Sequence, residues 1–169
     1  MKLWVIGEIG SWVSMIGDFS RLKQTPKHYL VDPALSAWLL GYTTETLRFG
    51  GEQDDFDSRF GSVTGRLFEA LVVQSLQTYA LTNEAALGHF RAYRGEREVD
   101  FVMERGKDIV AIEVKYSPTV SKKDVRHLLW LKEKYRSRCK ELMVVNTGQY
   151  TYRREEDDVL VVPAASLGA

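Results

Sequence analysis

The stretch EVDFVMERGKDIVAIEVK, residues 98–115, decides the fold class. It is typical of two apolar strands joined by a turn at residues 105–107. Three charged residues stand where a buried strand usually carries apolar ones: Asp100, Glu113 and Lys115. Because charges are costly to bury and often mark functional sites, the reason for these three residues is also a hypothesis about function.

Strand alternation sets the direction of the charged side chains. In the second strand, Ile112 and Val114 point to one face, while Glu113 and Lys115 point to the other. In the first strand, Glu98 and Asp100 share a face. If the two strands are neighbours, Asp100, Glu113 and Lys115 can converge at one edge of the sheet.

The elements around this hairpin indicate an α/β domain with a mixed sheet. Residues 62–83 show helical spacing of apolar positions. The apolar face of this helix consists of Phe68, Val72, Leu76, Tyr79 and Ala80. The remaining segments are a strand at 88–94, a helix at 121–137 that starts with the capping-box pair Ser121 and Asp124, a strand at 140–147 and short strands within 151–168.

The N-terminal part, residues 1–57, is predicted to be an extension of a domain that spans residues 58–169. Within it, residues 27–41 predict a short strand followed by a helix, with Asp32 as N-cap and Pro33 in the first turn. Four residues are predicted to form the apolar stripe of this helix: Ala34, Leu35, Trp38 and Leu39. The apolar N-terminal residues Trp4, Trp12, Val13 and Ile16 predict an exposed patch or a homodimer contact.

Glu69 adds a fourth charge to the candidate site. On a helical wheel it lies in the middle of an apolar stripe and is flanked by Val72, Val73 and Leu76. An isolated ionised carboxylate is costly to bury. Glu69 is therefore expected to face a partner, a metal or a water-filled notch.

Two carboxylates on neighbouring strands are suited to a hard divalent cation. Mg²⁺ or Mn²⁺ prefers oxygen ligands, and a bound cation lowers the pKa of its water. A lysine two residues along the strand can position that water and stabilise charge on a phosphate. The alternative is structural: Glu-x-Lys is a common salt-bridge pattern on a solvent-facing strand, and Glu69 could pair with Arg66 or Arg97.

The overall composition argues against several other classes of protein. The chain has 169 residues, 44% of them hydrophobic, and its formal net charge is zero. A balanced charge gives no global signal for nucleic acid, so any such contact must come from a local patch. The single cysteine, Cys139, rules out an intrachain disulfide. With no apolar stretch near ~20 residues, we expect a cytoplasmic protein that does not contact membranes.

The order of helix Glu69, strand Asp100 and strand Glu113-x-Lys115 resembles the PD-(D/E)XK nuclease superfamily, from about residue 60 to 146. The resemblance implies a restriction-endonuclease-like core with an N-terminal helical extension. It also implies catalytic roles for Glu69, Asp100, Glu113 and Lys115, with Asp100 and Glu113 holding Mg²⁺ or Mn²⁺. The proline that often precedes the aspartate is replaced here by Val99.

A narrower resemblance covers roughly residues 26–150. The segments 27–41, GRLFEALVVQSL and YRGEREVDFVMERGKDIVAIEVKYSP resemble a C-terminal domain of unknown function that follows AAA+ ATPase modules in prokaryotes. The chain has no G-x-x-x-x-G-K-[ST] phosphate loop. We therefore expect a C-terminal fragment whose ATPase partner is missing, with at most a remnant of a winged-helix-like segment in residues 1–25.

Two functional hypotheses follow. The first is a metal-dependent nuclease-like domain acting on DNA or RNA, in which Arg94, Arg97 and Lys122 contact the nucleic acid. The second is a catalytically inactive module of the same fold that binds a partner or regulates the ATPase. A purely structural oligomerisation domain is a third interpretation.

Overall fold

A computed structural model of the chain describes residues 6–13, 25–49, 57–92 and 97–168. Eight strands and four α-helices lie within these ranges. In chain order they are β1 Ile6–Ile9, β2 Lys27–Leu30, α1 Pro33–Leu39, α2 Thr44–Phe49, α3 Asp57–Thr82, β3 Ala86–Arg91, β4 Glu98–Arg105, β5 Asp108–Lys115, α4 Lys122–Tyr135, β6 Cys139–Asn146, β7 Tyr152–Arg153 and β8 Leu160–Pro163.

Six of the strands form one mixed sheet in the order β3-β4-β5-β6-β8-β7. The β3-β4-β5 part is antiparallel, β5, β6 and β8 are parallel, and β7 returns antiparallel to β8. The tight β4–β5 turn contains Gly106 at φ +60°, a conformation that favours glycine. The predicted α/β class with a mixed sheet is thus confirmed.

Both faces of the sheet are covered by a helix. On one face, the α3 residues Val72, Val73 and Leu76 pack with Phe101 and Ile112. On the other face, α4 contributes Val125, Leu128 and Leu131 to a second apolar cluster. The central strand β5 lies between these layers, so polar side chains on it are shielded from water on either side.

Local signals in the sequence set the starts of two helices. The Asp32 carboxylate accepts hydrogen bonds from the backbone N–H groups of Ala34 and Leu35, at 2.8 and 3.1 Å. Ser121 and Asp124 form the predicted capping box of α4. Both predictions are confirmed.

The predicted apolar stripe of α1 is not buried. Trp38 is 72% exposed and Leu39 is 58% exposed, whereas Ser36 and Ala37 are buried. The helix packs against α3, and small side chains permit the closest approach between two helices. The periodicity identified an apolar face, but the helix turns its small residues inward instead.

Trp12, one of the four residues of the predicted N-terminal patch, also departs from the prediction. Strand β1 pairs antiparallel with β2, and an isolated bridge joins Ser11 to His89 in β3. Trp12 is only 3% exposed, and its indole N–H donates to the Glu104 carboxylate at 2.7 Å. Trp12 is therefore a core residue and is not part of an exposed patch or dimer contact. Two residues of the predicted patch, Trp4 and Ile16, lie outside the described residues.

In the part of the chain that the structure describes, none of the helices combines the length and the apolar character that crossing a membrane requires.

Candidate functional site

The candidate site lies in a fork between β4 and β5. Their antiparallel ladder runs from Arg105 opposite Asp108 to Phe101 opposite Ile112. Beyond this pair the two strands no longer pair with each other, and β5 continues alongside β6. Residues 98–100 and 113–115 therefore flank an opening in the sheet.

Asp100 bridges the fork with its side chain. In the pairing of β3 with β4, Gly88 lies opposite Val102 and Phe90 lies opposite Val99. A step of two residues in β3 thus corresponds to a step of three residues in β4, so β4 contains a bulge at this point. The Asp100 Oδ2 atom accepts a hydrogen bond from the Val114 backbone N–H at 2.9 Å. A side-chain carboxylate thus takes the place of a strand carbonyl, which fixes Asp100 in the opening.

Glu113 is the most deeply buried charged group of the fork. Its side chain is 11% exposed, and Oε1 lies 2.9 Å from Lys115 Nζ. Oε2 is buried and has no hydrogen-bond partner among the described residues. Burial, reinforced by the charge of Asp100, raises the pKa of Glu113 to about 7. Near neutral pH this carboxyl group is therefore poised to exchange its proton for a cation.

Lys115 lies on the same face as Glu113, as alternation predicted. Burial lowers the pKa of its ammonium, but Glu113 and Asp100 outweigh burial and raise it overall. Lys115 therefore stays charged and can act as a hydrogen-bond donor.

Lys27 joins the remaining carboxylates into one cluster. Its Nζ atom lies 3.1 Å from Glu69 Oε1, 3.3 Å from Glu98 Oε1 and 3.1 Å from Asp100 Oδ1. We call these four residues the Lys27 cluster. The Lys27 side chain is 21% exposed and its Nζ also lies 5.5 Å from the centre of the Phe101 ring.

The charges of the Lys27 cluster are unequally compensated. Burial lowers the pKa of Lys27, but its three carboxylate neighbours raise it overall. Burial raises the pKa of Glu69, and the nearby Asp100 raises it further, although Lys27 opposes both effects. One ammonium therefore does not fully neutralise the carboxylates that surround it.

Two further side chains hold Glu98 in place. The Arg91 guanidinium contacts both Glu98 carboxylate oxygens, with Nη2 at 3.1 and 3.0 Å. The His127 Nδ1 atom lies 2.8 Å from the Glu98 backbone oxygen. Burial raises the pKa of Glu98, but Lys27 and Arg91 lower it overall. Among the three carboxylates of the Lys27 cluster, Glu98 is consequently the one that contacts two positively charged side chains, Lys27 and Arg91.

The fork fits a divalent cation held by two carboxylates. The orphaned Oε2 of Glu113 lacks a cation or donor, and Asp100 lies close enough to raise the Glu113 pKa. Among the residues described, no group of three His, Cys, Asp or Glu side chains is arranged to hold a metal ion. Mg²⁺ keeps several waters and is often bound through one or two carboxylates, so Asp100 and Glu113 are the residues that could hold it.

The structure describes two of the three predicted nucleic-acid contacts, and each of these two contacts another side chain. Arg97 stacks its guanidinium on the Trp130 ring, with 4.6 Å between them. Lys122 is 82% exposed and lies 3.6 Å from Glu156. Arg94 lies outside the described residues. Phosphate contact by these residues stays a prediction.

Sequence reasoning identified four of the charges and missed Lys27 and Glu98 as members of the site. Glu69 was expected to face a partner, and its partner is Lys27 rather than Arg66 or Arg97. Lys27 is 42 residues from Glu69 and 73 from Asp100, and local periodicity carries no information over such separations. The available signal was the uncompensated charge of Glu69, which required a cation from elsewhere in the chain.

A comparison with protein families gives a match over residues 64–167 to the family described as Domain of unknown function (DUF4143). The matched segment includes Glu69, Asp100, Glu113 and Lys115, whereas Lys27 precedes it. A comparison with curated proteins found no match.

Proposed function

The chain belongs to the family Domain of unknown function (DUF4143), and we propose that it is a divalent-metal-dependent, nuclease-like domain with a restriction-endonuclease-like core. Its substrate would be a phosphodiester bond of DNA or RNA, and it would normally act attached to an AAA+ ATPase module. The observation that carries this proposal is the buried, half-satisfied carboxylate of Glu113 beside Asp100 and Lys115.

Asp100 and Glu113 would hold Mg²⁺ or Mn²⁺ in the fork. When bound, such an ion lowers the pKa of a water ligand and stabilises negative charge on the phosphate. Asp100 is pre-positioned because its second oxygen is bound by the Val114 N–H. A ligand that is already fixed loses little conformational entropy when it binds the ion.

Lys115 would orient the attacking water and stabilise the transition state. Its pKa is raised overall, so its ammonium donates hydrogen bonds and does not act as a general base. An ammonium within reach of a reacting phosphate stabilises the charge that develops there. Glu69, held in place by Lys27, would assist at the edge of the site.

Cleavage of labelled oligonucleotides tests this proposal. Single- and double-stranded DNA and RNA are incubated with the chain in Mn²⁺, Mg²⁺ or EDTA. We expect metal-dependent cleavage by the wild type and a loss of about 100-fold or more in Lys115→Met, since a single transition-state donor contributes on this scale. Lys123→Met, which removes an exposed lysine of α4, serves as the matched control and should cleave normally.

A second candidate function is a catalytically inactive module that binds a partner or regulates the ATPase. It is favoured by the Lys27 cluster, because an ammonium already compensates part of the negative charge that a metal would otherwise compensate. Metal binding without cleavage of any of the four nucleic acids would favour this function over the nuclease.

A further inference from the structure

We propose that Lys27 is a built-in cation that occupies a second metal position, so that the site holds one divalent ion fewer than its carboxylates could accommodate. This inference deepens the proposed function by assigning the ion count of the same site. It rests on the Lys27 cluster, whose members come from three separate elements, β2, α3 and β4.

The first argument is the number of ligands around one ammonium. Lys27 Nζ has oxygen atoms of Glu69, Glu98 and Asp100 within 3.3 Å. An ammonium has three N–H donors, so each carboxylate can take one of them. As they stand around Lys27, these three carboxylates are not arranged to hold a metal ion, so a divalent cation, which also prefers oxygen ligands, would take this position only in place of the ammonium.

The second argument is the division of the carboxylates into two groups. Glu113 is paired with Lys115, and its buried Oε2 has no partner within the described ranges. Asp100 belongs to both groups, because Oδ1 contacts Lys27 while Oδ2 accepts a hydrogen bond from the backbone N–H of Val114, the residue next to Glu113. The geometry is that of two neighbouring cation positions that share Asp100, one of them taken by Lys27.

The third argument is the origin of Lys27. It lies on β2, outside the six-stranded sheet and before the segment that matches the family. The β1–β2 hairpin thereby delivers a positive charge to carboxylates that α3 and β4 present. The hairpin would thus determine how many metal ions the domain binds.

Counting bound Mn²⁺ tests the inference directly. The metal-free full chain is titrated with Mn²⁺ at pH 7.5, and free Mn²⁺ is measured by its paramagnetic resonance signal. Lys27→Met removes the charge but keeps a side chain of similar length. We expect it to bind one Mn²⁺ more per chain than the wild type, whatever the wild-type count.

Two controls keep the comparison specific. Lys27→Arg retains the charge and should give the wild-type count. Lys123→Met removes an exposed lysine of α4 that lies outside the site, and it should also give the wild-type count. A wild-type count of zero would overturn the proposed metal-dependent function, yet an additional ion in Lys27→Met would still support the role of Lys27.

Equal Mn²⁺ counts in the wild type and Lys27→Met would overturn the inference. A stability measurement covers the case in which the variant folds poorly. Without metal, Lys27→Met should melt below the wild type, because three carboxylates are left with less positive charge. Millimolar Mn²⁺ should restore most of this loss, and a variant that stays unfolded in Mn²⁺ would also overturn the inference.

Discussion

At the scale of single residues, Glu113 shows the conflict between burial and charge most directly. Its carboxylate lies on the central strand of a sheet that is covered on both faces. One oxygen is paired with Lys115, and the other is left without a partner among the described residues. A side chain selected for stability alone would not be placed here, which is typical of a functional group.

The Glu113→Gln variant should be more stable than the wild type at high pH without metal. The folded-state pKa of about 7 lies above the ordinary value of 4.5. The folded chain therefore binds more protons than the unfolded chain between these two values, and the wild type loses stability as pH rises from about 4.5 through 7. Glutamine carries no charge, so the stability difference should grow over this window and level off at roughly 3 kcal/mol.

Urea denaturation of both proteins at pH 5, 6, 7 and 8 measures this difference. The exposed α4 residue Glu133 provides the control, because Glu133→Gln should change stability little at every pH. A Glu113→Gln variant less stable than the wild type at pH 8 would show that the pair with Lys115 is a structural salt bridge.

At the scale of elements, the N-terminal segment covers the outer edge of β3. The Trp12 backbone N–H donates to the His89 backbone carbonyl at 2.7 Å, and the His89 backbone N–H donates to the Gly10 carbonyl at 3.0 Å. Trp12 and Arg138 both bind the buried Glu104 carboxylate. These bonds pair a sheet edge that would otherwise be open to other chains.

Gly88→Ala should detach this N-terminal segment. A Cβ atom at Gly88 would lie 2.8 Å from the backbone N and Cα atoms of Trp12, so the two chain segments would have to separate. We expect a loss of about 1–3 kcal/mol in the free energy of unfolding, measured by urea denaturation.

Gly65→Ala is the matched control for this variant. Gly65 lies within α3, and a Cβ atom there would meet nothing within 4 Å. Alanine favours the helix more than glycine does, so Gly65→Ala should gain about 0.5–1 kcal/mol. Equal effects of the two substitutions would contradict the close contact between Trp12 and β3.

The elements differ in how far the sequence determines them. Alternation correctly placed Glu113 and Lys115 on one face because β5 is a regular strand with a neighbour on each side. It could not reveal the bulge in β4, since bulges depend on pairing with β3. In the seven-residue helix α1 the apolar stripe did not reveal which face is buried, because packing against α3 selects small residues over apolar ones.

At the scale of the whole molecule, the site is a local concentration of charge in a neutral chain. The formal net charge is zero, yet Lys27, Lys115 and four carboxylates meet around one opening in the sheet. The order of charged residues along the chain predicted four of these six side chains. The position of Lys27 depends on how the N-terminal hairpin docks, which only the tertiary structure reveals.

The most direct test of the metal site is a thermal melt with and without millimolar Mn²⁺ or Mg²⁺, run on the wild type and Asp100→Asn in parallel. Asp108→Asn, at the opposite end of the same hairpin and half exposed, is the control. An ion tenfold above its dissociation constant should raise the wild-type melting temperature by about 3–6 °C. We predict this rise in the wild type and Asp108→Asn and its disappearance in Asp100→Asn. No rise in the wild type, or an equal rise in Asp100→Asn, would contradict a cation site in the fork.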